Sequence, residues 1–209
     1  MSLVKAFEWR YATKKYDTSK KVEPAVLADI TETVRLAPSS FGLQPYKFLL
    51  VEDKSKLQEI SEASHGQPQI TTGAHVMVLA VETNIDAKTV ASYIDKAAIA
   101  RKTDRKNLEA REQFVNMMID KLNYEERIAW AEKQAFLAIG VFVSAAAQAG
   151  VDASPMEGFD AAKIDEILGL KEKNLTSALL FVIGYRSDED DFAAIPKVRK
   201  PKEEIFITI

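Results

Sequence analysis

Cationic side chains in two irregular stretches are the first candidates for chemistry. Arg10, Lys14 and Lys15 lie in WRYATKKYD near one end of the chain, and Lys197, Arg199 and Lys200 lie in IPKVRKP near the other. Brought together, they would form an anion site, in which Arg offers a bidentate fork for phosphate and Lys a point charge. Left apart, they are solvent-facing charge; spacing alone leaves both readings open. A third stretch, APSSFGLQPYKF (residues 37–48), sets two serines, a glycine and a glutamine between prolines. The prolines forbid a continuous helix and impose a rigid bend. The stretch presents hydroxyls, an amide and backbone donors where a plain connector needs only a few residues.

Other chemistry is excluded or weakly supported. The chain has no cysteine, so thiolate catalysis, disulfides and Cys-based zinc or iron–sulfur sites are ruled out. The two histidines, His65 and His75, cannot form H-E-x-x-H, and no G-x-S-x-G elbow is present. The eight glycines make neither a G-x-G-x-x-G fingerprint nor a P-loop. The acidic run Asp188–Asp191 reads as a solvated turn rather than a cation site, because no further ligand pattern surrounds it. No metal is expected. An enzyme with this inventory would need a cofactor to carry the reaction.

The elements that must position these residues come from hydrophobic patterning. The chain has 209 residues, 47% apolar and 28% charged, with a net charge of −3. This is globular composition, without a basic patch of the kind that marks nucleic-acid or membrane binding. We expect one domain over residues 1–209 and, from the absence of cysteine and of a signal-type segment, a cytoplasmic location. Helices are predicted over 2–10, from Pro24 to about Ala37, over 54–64, across the charge-dense 100–122, from Glu125 to Ala149 with Gly150 closing it, and over 162–170. The apolar run Ala135–Ala147 falls short of the ~20 residues of a membrane span and reads as a buried helix; its small residues around Gly140 suit close helix packing. KFLLVED, HVMVLAVET and TSALLFVIGYR read as strands, VDASPMEGFD as a loop, and EEIFITI as an alternating terminal strand. The fold class is α+β.

Taken in order, RYATKKYD, APSSFGLQPYKFLLVED, HGQPQITTGAHVMVLA, SPMEGFD, LGLKEKN and IPKVRKP resemble the oxygen-insensitive NAD(P)H nitroreductase family over essentially the whole length. The resemblance is to the branch holding the enterobacterial minor nitroreductase and dihydropteridine reductase. It implies a central mixed sheet flanked by helices, in a homodimer that binds FMN at its interface and exchanges C-terminal strands. By motif, Arg10 and Arg199 should bind the FMN phosphate, with Tyr11 in the same motif and Lys197 close by. Ala12 stands where the family often has Ser, which removes one hydroxyl contact. Lys14 should lie against N1 and O2 of the ring, where an ammonium stabilises the charge left by two-electron reduction. Pro38, Ser39 and Ser40 should come from the second subunit as a wall on the dimethylbenzene side, with Gln44 supporting that loop or meeting the ribityl chain. Gln67 and Gln69 should bond the pyrimidine edge; Gln69 stands where one relative has a second lysine. The backbone N–H groups of Glu157 and Gly158 should reach N5 and O4, with Pro155 and Met156 against one face of the ring.

The activity so implied is a ping-pong oxidoreductase. NADH or NADPH delivers hydride, leaves, and is replaced in the same slot by a nitroaromatic, quinone or related electron-poor aromatic. Residues 101–127 should supply a lid, with Phe114, Met117 and Met118 as contacts or core, and Arg101 or Lys102 near the dinucleotide phosphates. The competing readings are a flavin enzyme committed to dehalogenation, flavin cleavage, or enone or pteridine reduction; a flavin-binding protein without turnover; and a colourless structural protein.

Overall fold

The computed structural model describes residues 1–209. Strands β1 (Tyr46–Val51), β2 (His75–Glu82), β3 (Asp152–Met156) and β4 (Leu175–Gly184) form one sheet in the order β1-β2-β4-β3. The two central strands are the longest apolar runs, as expected of strands covered on both faces. Alternate side chains feed two cores. Met77, Leu79, Val81, Phe181 and Ile183 pack with Ala131, Ala135, Ala138 and Phe142 of helix α7 (Tyr124–Gln148). Val76, Val78, Leu180 and Val182 pack on the other face with Ile60 of α3 (Lys54–Ala63) and Ile164 of α8 (Ala161–Leu168).

Helix ends follow local chemistry. α7 starts at a reciprocal capping box between Asn123 and Glu126 and is followed by Gly150 at φ 72°. α1 (Leu3–Trp9) ends in extended backbone at Arg10, and α2 (Pro24–Arg35) begins on its proline. By length and apolarity α7 could cross a membrane, yet one stripe of it is the floor of the main core.

Four expectations need correction. The sheet is not mixed within the chain: all three pairings are antiparallel. The segment VDASPMEGFD is not all loop, because its first half is β3. Pro155 is tolerated there because β3 is an edge strand. Arg10 donates to the outward carbonyl of Ala153, so Pro155, two residues on, also turns its missing N–H outward. The region 100–122 is not one helix: α5 (Ala87–Arg101) stops at left-handed Lys102, and α6 (Glu109–Asp120) starts after a 3-10 turn capped by Asp104. Finally, the tail is not a strand in this chain. α9 (Lys202–Ile205) is a single turn, and Phe206–Ile209 are exposed without regular structure, paired with no strand of their own subunit.

Candidate active site

The basic arm, residues 10–16, leaves α1 and crosses the end of β4, where Tyr16 bridges Arg186. The Tyr16 hydroxyl donates to the Val182 carbonyl at 2.9 Å. Gly184 makes this approach possible, because a Cβ there would lie 2.8 Å from Tyr16 Cδ1 and 3.1 Å from the Ala74 nitrogen. Two buried carboxylates hold the arm. Asp152 receives Arg186 Nη2 at 2.6 Å, Arg186 Nε at 3.0 Å and the Thr13 hydroxyl at 3.2 Å. The Arg186 guanidinium also lies 4.1 Å from the Trp9 ring centroid and 4.5 Å from that of Tyr11, a double cation–π contact.

Asp190 is the second anchor, and reading its acidic run as a solvated turn is wrong for this residue, which is 4% exposed. Its Oδ2 accepts from the backbone N–H of Lys14 at 2.7 Å, that of Lys15 at 3.1 Å and the Tyr11 hydroxyl at 2.9 Å. Its Oδ1 caps the Phe192 N–H at 3.2 Å. Burial pushes the Asp190 pKa up, but these hydrogen bonds outweigh it and hold the carboxyl below its ordinary value. Burial and the bond to Asp190 raise the Tyr11 phenol to about 12.

The two termini of the basic pattern do converge. Lys197 Nζ donates to the carbonyls of Phe7 (3.0 Å) and Glu8, at the negative end of α1. Arg10 Nη2 donates to the carbonyls of Tyr11 at 2.7 Å and Ala153 at 3.3 Å. Burial and then the charge of Arg199 lower the Arg10 pKa, and burial, Arg10 and Arg199 lower that of Lys197. None of the three has a carboxylate within ion-pair distance, and the Arg10 Nε is buried without any acceptor. Mutual repulsion among unpaired cations is relieved by an anion, and an exposed Arg199 leaves access for one. Ala12 is exposed and adds no polar group.

A second cluster lies beyond the far end of β3. Gln67 Nε2 donates to the Gly158 carbonyl at 2.9 Å, and Gln69 Nε2 donates to Gln67 Oε1 at 3.2 Å. A backbone carbonyl can only accept, so the direction of the whole relay is fixed. Gln69 is 1% exposed, with its Oε1 unpartnered, so it reaches the surface through Gln67. Glu157 and Gly158 are exposed, and neither of their N–H groups has an acceptor in the chain. Met156 does not face this surface: it is buried in the core with Val78 and Leu180, because β3 alternation turns it away, leaving Pro155 half-exposed. Along β3, Ala153 and Met156 put the cationic and amide clusters about 10 Å or more apart.

The chain does not bring Pro38, Ser39, Ser40 and Gln44 to these clusters. Their loop is docked on α7 through the Ser40 N–H, which donates to Gln134 Oε1 at 2.8 Å. Gln134 is about 21 Å along α7 from Gln148, which holds Met1. The Ser39 hydroxyl accepts from the Gln44 N–H at 3.0 Å, and Gln44 Nε2 donates to the carbonyls of Arg35 and Ala37, so of its two expected roles Gln44 performs loop support. Phe41, at φ 57°, is held in a region that bulky residues avoid; its ring stacks on Trp130 and meets the edge of Phe114, which is 48% exposed on α6. A cavity of about 700 Å³ borders this loop and β1 rather than the basic arm.

The fold is an α+β scaffold, an antiparallel sheet covered by helices, with an unpaired cationic arm at its β3 edge and free backbone donors beyond it. The nitroreductase family model matches residues 7–185. The major NAD(P)H-flavin oxidoreductase of Aliivibrio fischeri is 31% identical over 98% of this chain and 97% of its own. The oxygen-insensitive NAD(P)H nitroreductase of Salmonella typhimurium is 30% identical over 97% of each. A structure from Exiguobacterium sibiricum solved in complex with FMN has the same fold, with a TM-score of 0.83 at 21% identity over 100% of this chain and 98% of that one. The chain belongs to the nitroreductase family.

Proposed function

We propose that the protein is an FMN-dependent oxidoreductase that takes hydride from NADH or NADPH and reduces nitroaromatics, quinones or related electron-poor aromatics. The observation that carries this reading is the convergence of Arg10, Lys197 and Arg199, with no carboxylate partner and a buried Arg10 Nε that lacks an acceptor. These residues would hold the phosphate. Lys14, Gln67 and the N–H groups of Glu157 and Gly158 would hold the polar edge of the ring, and Pro155 would pack on it. Bound FMN would supply two-electron chemistry. Lys14 would stabilise negative charge, and solvent would supply protons. Phe41 and Phe114 would bound an apolar slot shared by both substrates.

The reading includes a homodimer. Pro38, Ser39 and Ser40 would reach the cofactor of the partner, which fits their distance from the basic arm of their own chain. Two features support association. Leu3, Val4 and Phe7 of α1 and Phe136 and Leu137 of α7 are exposed, with nothing over Gly140. The cavity beside β1 is lined by Arg35, Lys47, Lys88 and Lys96 against a single acid, Glu82, over an aromatic floor of Phe48 and Phe142. It suits a tail of the composition EEIFITI donated by a second copy. The test is a visible spectrum of the purified protein, followed by anaerobic titration with NADH and NADPH and light scattering. We expect flavin absorbance, bleaching by a reduced nucleotide, recovery on adding a quinone, and a dimer mass. A colourless protein refutes the reading; a coloured one that no nucleotide bleaches is a flavin binder without turnover.

A further inference from the structure

We propose that Asp190 is a positioning residue that sets both ends of Lys14, and through Lys14 the ease with which bound flavin is reduced. This rests on the flavin reading above. One oxygen of the carboxylate fixes the Lys14 backbone, accepting its N–H at 2.7 Å together with the Lys15 N–H and the Tyr11 hydroxyl. The other oxygen caps the N–H of Phe192 at 3.2 Å, and the Phe192 ring lies 5.9 Å beneath the Lys14 ammonium. A single side chain therefore places the start of the lysine and the surface that its charged tip rests on. Lysine has a long flexible stem, and holding its ammonium at one point costs conformational freedom that a disordered loop would not surrender. Asp190 is nearly buried, so its four acceptor contacts are not exchanged for water, and no residue in the chain duplicates them.

The proposal separates Asp190 from the phosphate-binding cations. Lys197 bonds to the end of α1, and Arg10 bonds to Ala153 on β3 as well as to the carbonyl of Tyr11, so neither is held through Asp190 alone. Loss of Asp190 should thus disturb reduction of the ring while FMN retention stays within about threefold of wild type.

The experiment is a double-mutant cycle on flavin-loaded protein, read by the midpoint potential of the bound flavin and by single-turnover reduction with NADH. Lys14→Met should lower the potential and slow reduction roughly tenfold or more. Asp190→Ala should do the same, and the double variant should match Lys14→Met alone, because the two residues act as one unit. A wild-type potential in loaded Asp190→Ala, or shifts that add in the double variant, overturns the proposal. Should Asp190→Ala fail to fold, the cycle is run with Asp190→Asn, whose amide cannot accept on both sides, and the same two outcomes decide. Wild-type protein that binds no flavin sinks the earlier reading and is recognised before any variant is made.

Discussion

Buried Asp152 and half-buried Arg186 form a bidentate pair in which the carboxylate also receives the Arg186 backbone N–H at 2.9 Å. The pair ties the first residue of β3 to the second residue past β4, and its guanidinium is the platform for Trp9 and Tyr11. Asp152→Ala strands a cation between two rings. We expect a loss of about 3 kcal/mol or more of stability in urea unfolding, larger than for removal of any exposed ion pair here. A loss below 1 kcal/mol would contradict this role.

Lys14 and Arg199 should separate chemistry from retention. Arg199→Ala should weaken FMN binding roughly tenfold, the worth of one exposed charge-assisted contact, with little change in reduction rate once loaded. Arg10→Ala should weaken it more, since Arg10 is the buried member. Lys14→Ala should reverse the pattern. Fluorescence titration and stopped-flow reduction measure the two quantities, and equal reduction rates in Lys14→Ala and wild type would remove Lys14 from its role.

Asp190 predicts an acid limb. Its folded pKa is held below the ordinary value, so its contribution to stability is complete above the unfolded pKa of about 3.9 and disappears as pH falls through the folded pKa. The stability gap between wild type and Asp190→Asn should be constant from pH 7 to about 5 and narrow below about pH 4. Unfolding curves across that range test it; a gap that widens in acid has the wrong sign.

Gly184→Ala should cost about 1–3 kcal/mol, because the added carbon meets the Ala74 backbone as well as the Tyr16 ring, and only the ring can give way. Gly140→Ala, in the interior of α7 where a Cβ meets nothing in the chain, should stabilise the monomer by about 0.5–1 kcal/mol. If Gly140→Ala lowers the melting temperature in a protein-concentration-dependent way, a second copy covers that face.

The sequence made some of this legible and hid the rest for definite reasons. β1, β2 and β4 are unbroken apolar runs and were readable as strands. β3 was not, because Pro155 and Gly158 carry turn chemistry, and only the edge position excuses the proline. Arg10, Lys197 and Arg199 were legible as a group by residue type, though nothing in spacing showed that residues so distant in the chain would meet. Asp190 was hidden among neighbouring acids that are solvated. Asp152 and Arg186 were not singled out in the sequence, although a lone acid after an apolar helix and an arginine beyond a buried strand are a signal that could have found them. Gln134 could not be linked to Ser40 without the fold. Gln69 was expected at the ligand, but the fold buries it behind Gln67.

The outer margin of β3 has one missing N–H at Pro155 and one carbonyl occupied by Arg10. It is a poor template for strand addition, whereas β1 has a free margin. Growth of the sheet is therefore one-sided. If chains trade tails at β1, as the dimer proposed above requires, they would close on each other and stop, because the opposite border is a poor route to open-ended fibres.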